Sequence, residues 1–275
     1  MSKRYRRGSR RRSPITVYGA IILVIVGVIG FLSEQGNPTA QHITQQASSM
    51  VSQVAGSSTG KSTSTTTPKQ SVATTALANQ KYTGTQIVAV NHNKPTFTAS
   101  ELSLKHGAWQ KYGDLDSLNR VTTANAMLSK SLMPTAKRQP LNVTPTGWHN
   151  KEYTLEGKRI YLYNRCHLIG YQMTGQNNNW KNLMTGTRSL NDPGMTAYEN
   201  PVAQYLRSHP QNHVRYQVQP VFRGNELVAR GVHMQAQSIE NKDISYNVYI
   251  FNIQNGVKLN YSTGYSQTGD AASAF

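Results

Sequence analysis

Between residues 34 and 80 the chain is rich in Ser, Thr, Gln and Ala, and Ser62 to Pro68 (STSTTTP) is its most biased stretch. Such a composition offers too little apolar area to offset the entropy lost when a backbone is ordered, so this segment is expected to be a disordered linker. The residues that must build a core are then confined to 81–275, enough for one domain. No internal repeat divides them. Cys166 is the chain's one cysteine, so no intrachain disulfide can reinforce that domain.

Ahead of the linker, Lys3, Arg4, Arg6, Arg7, Arg10, Arg11 and Arg12 precede an uncharged apolar run over residues 15–32. At about 1.5 Å per residue this run spans about 27 Å as a helix, close to the hydrocarbon thickness of a bilayer. The pattern predicts a basic cytoplasmic tail (1–14), a transmembrane signal-anchor (15–33), the linker (34–80) and an extracellular domain (81–275), with the basic flank staying inside. The alternative is secretion after signal cleavage, for which Pro38-Thr39-Ala40 offers a site.

Within 81–275 the periodicities predict an α+β domain. Residues 86–91 read as a strand, and Leu115, Leu118, Val121, Met127 and Leu128 give a helical stripe over 115–132. Residues 160–163 are β-rich and lead into Asn164–His167. Asp192-Pro193-Gly194 marks a turn, after which Met195, Tyr198, Val202, Tyr205 and Leu206 keep helical spacing to Ser208, with a kink or the first turn of a second helical piece expected at Pro201. Two hairpins are expected, one across Gly224-Asn225 and one across Asn255-Gly256.

The chemistry concentrates in Tyr163-Asn164-Arg165-Cys166-His167-Leu168-Ile169, followed by Asn182-Leu183-Met184-Thr185-Gly186-Thr187 and Asn191. A neutral imidazole takes a proton from water near pH 7, which makes His167 a potential general base. A phosphodiester also needs a cation to offset the charge that develops in its transition state. Mg2+ prefers oxygen ligands and keeps several waters, so the Asn191 carbonyl with water and substrate phosphate can complete its shell. Glu199 lies eight residues further on, on the same face if one helix runs through both, where it could orient metal-bound water. Asn177, Asn178 and Asn179 read as a polar turn rather than as ligands.

These residues resemble the DNA/RNA non-specific endonucleases with a ββα-metal (His-Me finger) core, among them membrane-anchored DNA-entry nucleases and streptodornase-like DNases. The resemblance covers roughly residues 81–265, and 164–199 carries most of it. It implies a ββα-metal core whose antiparallel sheet is flanked by helices. It implies His167 as general base, Asn191 as metal ligand, Asn182 as a supporting residue, and Arg165 and Glu199 as residues orienting phosphate or water. Arg120, within Leu118-Asn119-Arg120, resembles a further family element that contacts substrate. Two positions depart from the family's Asp-Arg-Gly-His signature: Asn164 stands in place of Asp, and Cys166 in place of Gly.

The implied activity is metal-dependent hydrolysis of DNA, with RNA left open, using Mg2+ or Mn2+ in its place and no small-molecule cofactor. Charge agrees with a polyanionic partner: 29 Lys and Arg stand against 12 Asp and Glu. Such an excess attracts nucleic acid largely without regard to sequence. Two other classes remain open. One is a membrane-tethered receptor that keeps the fold and binds DNA without cutting it. The other is a thiol hydrolase built on Cys166, which alternation along a strand disfavours by turning Cys166 and His167 to opposite faces. Oligomeric state is not legible.

Overall fold

The structure, a computed structural model, describes residues 74–275. The expected basic tail, transmembrane segment and most of the expected linker lie outside the described residues. No helix among the described residues is long and apolar enough to cross a membrane. The last residues of the segment read as linker belong with the folded part: Thr74–Ala78 forms a short helix, α1, that buries Leu77 and Ala78. They pack beside Val221, Tyr249 and Phe251.

The centre is a six-stranded antiparallel sheet. Its strands are β1 (Ile87–Ala89), β2 (Trp109–Tyr112), β3 (Ala124–Leu128), β8 (Val214–Val221), β9 (Gly231–Ser238) and β10 (Ser245–Phe251), in the order β1-β10-β9-β8-β3-β2. Alternation along each strand splits the side chains between two faces. Ala124, Ala126 and Leu128, Val214, Tyr216 and Val218, Val232, Met234 and Ala236, and Val248 and Ile250 all enter one apolar cluster. The opposite face is apolar at one end, where Val221, Tyr249 and Phe251 meet α1, and polar across its middle, where side chains hydrogen-bond to one another. Gln235 Nε2 donates to Gln217 Oε1, Gln217 Nε2 to Asn125 Oδ1, and Gln235 Oε1 accepts from the Thr96 backbone, so residues near 96 cover this layer.

The apolar face is covered by a ββα unit. It consists of β6 (Tyr163–His167) paired antiparallel with β7 (Leu183–Thr187), and α3 (Thr196–Ser208). Cys166 and Met184 from the hairpin, and Val202, Ala203, Tyr205 and Leu206 from the helix, complete the cluster. Asn252, fully buried, ties the hairpin to the sheet: its Oδ1 accepts from Thr187 N–H, and its Nδ2 donates to the carbonyls of Thr185 and Ala229. Two further hairpins, β4 (Glu152–Leu155) with β5 (Lys158–Tyr161) and β11 (Val257–Leu259) with β12 (Ser266–Thr268), share a third apolar cluster around Tyr153, Leu162 and Tyr261. One turn of helix, α2 (Tyr171–Thr174), lies in the connection from β6 to β7.

The mixed fold with an antiparallel sheet agrees with the expectation, whereas several elements differ. The helix expected over 115–132 does not form. Residues 124–128 are β3, because pairing with β8 and the packing of Ala124, Ala126 and Leu128 into the sheet's apolar face outweigh a local helical stripe. Pro201 does not open a second helical piece: it is the sixth residue of one continuous helix. β8 and β9 do pair, but the loop between them spans 222–230 rather than a tight turn at Gly224-Asn225. The second expected hairpin is absent among the described residues: β10 pairs with β9 and β1, while β11 pairs with β12, leaving one bridge from Gln254 to Val257.

Candidate active site

β6 carries Arg165 and His167 two residues apart, and alternation places them on one side of the strand. His167 is 7% exposed. Its Nε2 lies 2.8 Å from the carbonyl oxygen of Asn177. A carbonyl can only accept, so Nε2 must hold the proton and Nδ1 keeps its lone pair. Nδ1 makes no hydrogen bond among the described residues. Burial is the main cause that pulls the imidazole pKa below its usual value, with the Arg138 charge acting in the same direction, so the ring is neutral at pH 7.

Asn182 sets the position of that ring indirectly. It is fully buried, its Oδ1 accepts from Ile169 N–H at 2.9 Å, and its Nδ2 donates to the Ile169 carbonyl at 3.0 Å. Its backbone carbonyl also accepts from Leu168 N–H at 2.9 Å. The chain leaving His167 is thereby clamped at the next two residues. Asn182 is thus closed off from substrate by burial, with both ends of its carboxamide engaged by Ile169.

Asn191 and Glu199 do not share one helix, as their spacing had implied. Asn191 lies in a wide helical turn over Leu190–Met195, and Asp192, at φ −146° and ψ 117°, interrupts it before α3 begins. The two side chains nevertheless line the same pocket as His167, together with Arg138, Gly170, Tyr171, Gln172 and Thr196. Glu199 is 7% exposed. Its carboxylate lies against Gly170, where a Cβ would come within 3.1 Å of both oxygens. Burial lifts its pKa to about 7, although a hydrogen bond from the Gly170 backbone and the Arg138 charge oppose the shift.

The donor set suits a hard, largely hydrated cation. The Asn191 carboxamide makes no hydrogen bond among the described residues, and Asn191 and Glu199 line one pocket. No group of three or more His, Cys, Asp and Glu that could cage a metal occurs among the described residues. Mg2+ does not require one, since it retains waters and needs one or two protein oxygens.

A second cavity, of about 490 Å³, adjoins the first and shares Arg138 and Asn191 with it; Arg165, Arg188, Trp148 and Asn164 also line it. The Arg165 guanidinium lies 4.6 Å from the Trp148 ring, and its Nε donates to the Val143 carbonyl. Arg120, expected to contact substrate, is not brought here. Its Nε pairs with Asp116 at 2.7 Å, Nη1 donates to the carbonyls of Gly224 and Glu226, and the guanidinium covers Phe222. All of this makes Arg120 a brace between two loops.

Cys166 faces away from His167 into the core, fully buried, and burial pushes its thiol pKa far up. A thiolate nucleophile is therefore not available. Its sulfur occupies the space where a Cβ on Gly186 would stand, which is how β7 accommodates a side chain in place of the family's Gly. The Asn-rich turn behaves as one: Asn178 is bound to Asn142, and only the Asn177 backbone reaches the site. Arg138 and Arg188 were not anticipated. Arg138 sits in the basic pair Lys137-Arg138 in a segment with no periodicity, and Arg188 directly follows the Asn-Leu-Met-Thr-Gly-Thr element, so adjacency to the motif was the available signal.

Comparison with known proteins finds similarity to nucleases. A family model described as DNA/RNA non-specific endonuclease matches residues 102–248. A deoxyribonuclease from Streptococcus dysgalactiae subsp. equisimilis is 27% identical over 194 residues, which cover 56% of this chain and 59% of that protein. Crystal structures of NucA from Streptococcus agalactiae, without metal and with a magnesium ion bound, superimpose with a TM-score of 0.59 at 25% identity. They cover 66% of this chain and 87% and 88% of theirs, respectively. The Sda1 nuclease with a bound zinc ion gives a TM-score of 0.53 at 25% identity, over 58% of this chain and 82% of that one.

Proposed function

The chain belongs to the DNA/RNA non-specific endonuclease family, and from that premise we propose that it is a metal-dependent endonuclease that hydrolyses DNA outside the cell. The observation that carries the reading is one pocket lined by His167, Asn191 and Glu199, in which the imidazole is neutral, its Nε2–H is committed to Asn177 and its Nδ1 lone pair is free. The deoxyribonuclease relative and the magnesium-bound NucA support the substrate and the metal. The exported location is supported by the basic, then apolar, N-terminal sequence.

In this mechanism His167 Nδ1 takes a proton from the attacking water, and the Asn177 carbonyl holds the tautomer that leaves Nδ1 available. As the ring becomes imidazolium, the Nε2–H bond to Asn177 strengthens. Arg138, on the wall shared by the two cavities, and Arg165, in the larger of them, present positive charge to the phosphate. Asn191 would hold Mg2+, with the Glu199 carboxylate supplied from the same pocket. When bound, the ion supplies Lewis-acid stabilisation of the charge developing on phosphate. Asn182 acts only by fixing the backbone behind His167.

A plasmid-nicking assay with the full chain tests this reading. Supercoiled DNA is expected to be nicked and then linearised with Mg2+, and activity is expected to disappear in excess EDTA and return when Mg2+ is restored. Robust cleavage in excess chelator would overturn the metal mechanism. Binding without cleavage under any divalent cation would leave the receptor reading instead.

A further inference from the structure

Tyr161 is 63% exposed, the most of any large hydrophobic side chain among the described residues. Its neighbour Ile160 packs into the cluster with Tyr153 and Leu162, so alternation along β5 turns Tyr161 outward, where it lines the 490 Å³ cavity beside the candidate active site. The comparably exposed Tyr265 is stacked on His149 with ring centroids 3.9 Å apart. Tyr161 has no aromatic partner and no hydrogen bond to its hydroxyl among the described residues.

The charges around it are also uncommitted. Arg165 is held over Trp148 and anchored through Nε, which leaves its Nη groups without protein acceptors among the described residues. Arg188 meets only Asp192, at 3.9 Å, with both side chains more than half exposed, a pair that holds the guanidinium weakly. Three arginines, 138, 165 and 188, thus line this cavity against one carboxylate, Asp192. An anionic ligand with a flat aromatic portion satisfies both halves, and the wall shared with the candidate active site places it next to the reacting phosphate.

We propose that this cavity is a nucleotide subsite for an unpaired residue of the strand being cut, in which the base stacks on Tyr161 while Arg165 and Arg188 take its phosphate. The base must leave its neighbours to lie on the ring, so the subsite accepts single strands and locally opened duplex but not an intact stack. The inference rests on the endonuclease reading for its substrate and specifies which part of that substrate is gripped.

The test reads binding without cleavage: fluorescence anisotropy of a labelled single-stranded deoxyoligonucleotide, in EDTA, with the full chain. The parent is expected to bind the base-bearing strand about tenfold more tightly than a strand of equal length whose bases are removed, and Tyr161→Ala to lose that preference. Tyr161→Phe, which keeps the ring, is expected to retain it. Closed duplex of the same sequence is expected to bind the parent and Tyr161→Ala alike. Undiminished preference in Tyr161→Ala, or an equal loss on closed duplex, would overturn the proposal. If the discrimination is present yet no nucleic acid is cut with Mg2+, the subsite stands and the nuclease reading falls.

Discussion

Replacing Asn182 with alanine is expected to separate the residue that supports the site from those that act in it. The side chain is fully buried and makes two hydrogen bonds, at 2.9 and 3.0 Å, to the N–H and carbonyl of Ile169. Alanine would strand both backbone groups where no water reaches them, at about 1–3 kcal/mol for each. Partial relaxation around the small void limits the total, so a loss of about 2–5 kcal/mol of unfolding free energy is expected. Urea denaturation of parent and variant, followed by tyrosine and tryptophan fluorescence, gives this difference directly. Nuclease activity should fall as well, because the chain beyond His167 loses its clamp, and Asn182→Asp, which keeps the acceptor but buries a charge, should not restore stability. A loss below about 1 kcal/mol, with activity gone, would refute the reasoning and return Asn182 to direct chemistry.

His167→Ala is expected to lower the cleavage rate by about 10²- to 10⁴-fold with DNA affinity nearly unchanged, measured by single-turnover cleavage and by anisotropy. Full activity in that variant would place the base elsewhere. Glu199 gives a pH dependence of stability. Its folded pKa of about 7 lies above the usual carboxylate value, so its contribution is present below about pH 4.5 and is lost as pH rises through 7. The stability gap between Glu199→Gln and parent, from urea titrations in EDTA, should therefore shift in the variant's favour by about 3 kcal/mol from pH 4.5 to 8. A constant gap would show that Glu199 titrates as an ordinary carboxyl. His167 acts in the opposite sense, its neutral form losing stability as pH falls through its unfolded value near 6.5, and this cancels in the comparison. Cys166→Ser should cleave DNA within a few-fold of the parent rate while losing about 1–3 kcal/mol, since it places a hydroxyl in an apolar site. A folded but inactive variant would reopen a chemical role for the sulfur.

Which side chains gather at the pocket was more legible than the fold around it. His167, Asn191 and Glu199 come together because an ordered motif fixes which side chains must meet, whatever path the chain takes between them. Residues 115–132 misled because Leu115, Leu118, Val121, Met127 and Leu128 fit a helical stripe. What decides their structure is β8, some ninety residues away in sequence, against which Ala124, Ala126 and Leu128 are laid as a strand. The Asn255-Gly256 turn was read correctly as a reversal, but nothing local states which strand follows which: β11 finds β12, not β10. Arg120 shows a further limit. Residue type identifies a cation, whereas only geometry reveals that Asp116 and two carbonyls already occupy it.

The seat that Gly186 gives the Cys166 sulfur makes two residues on adjacent strands a single choice of size. Cys166→Gly alone empties a fully packed spot. Gly186→Ala alone forces a methyl group into the sulfur. Made together, the two changes exchange which strand supplies the bulk, and each becomes the remedy for the other. Grafting the family's glycine into this chain is therefore not the neutral reversion that the signature suggests. Its outcome is decided at position 186, on a strand that carries none of the proposed chemistry.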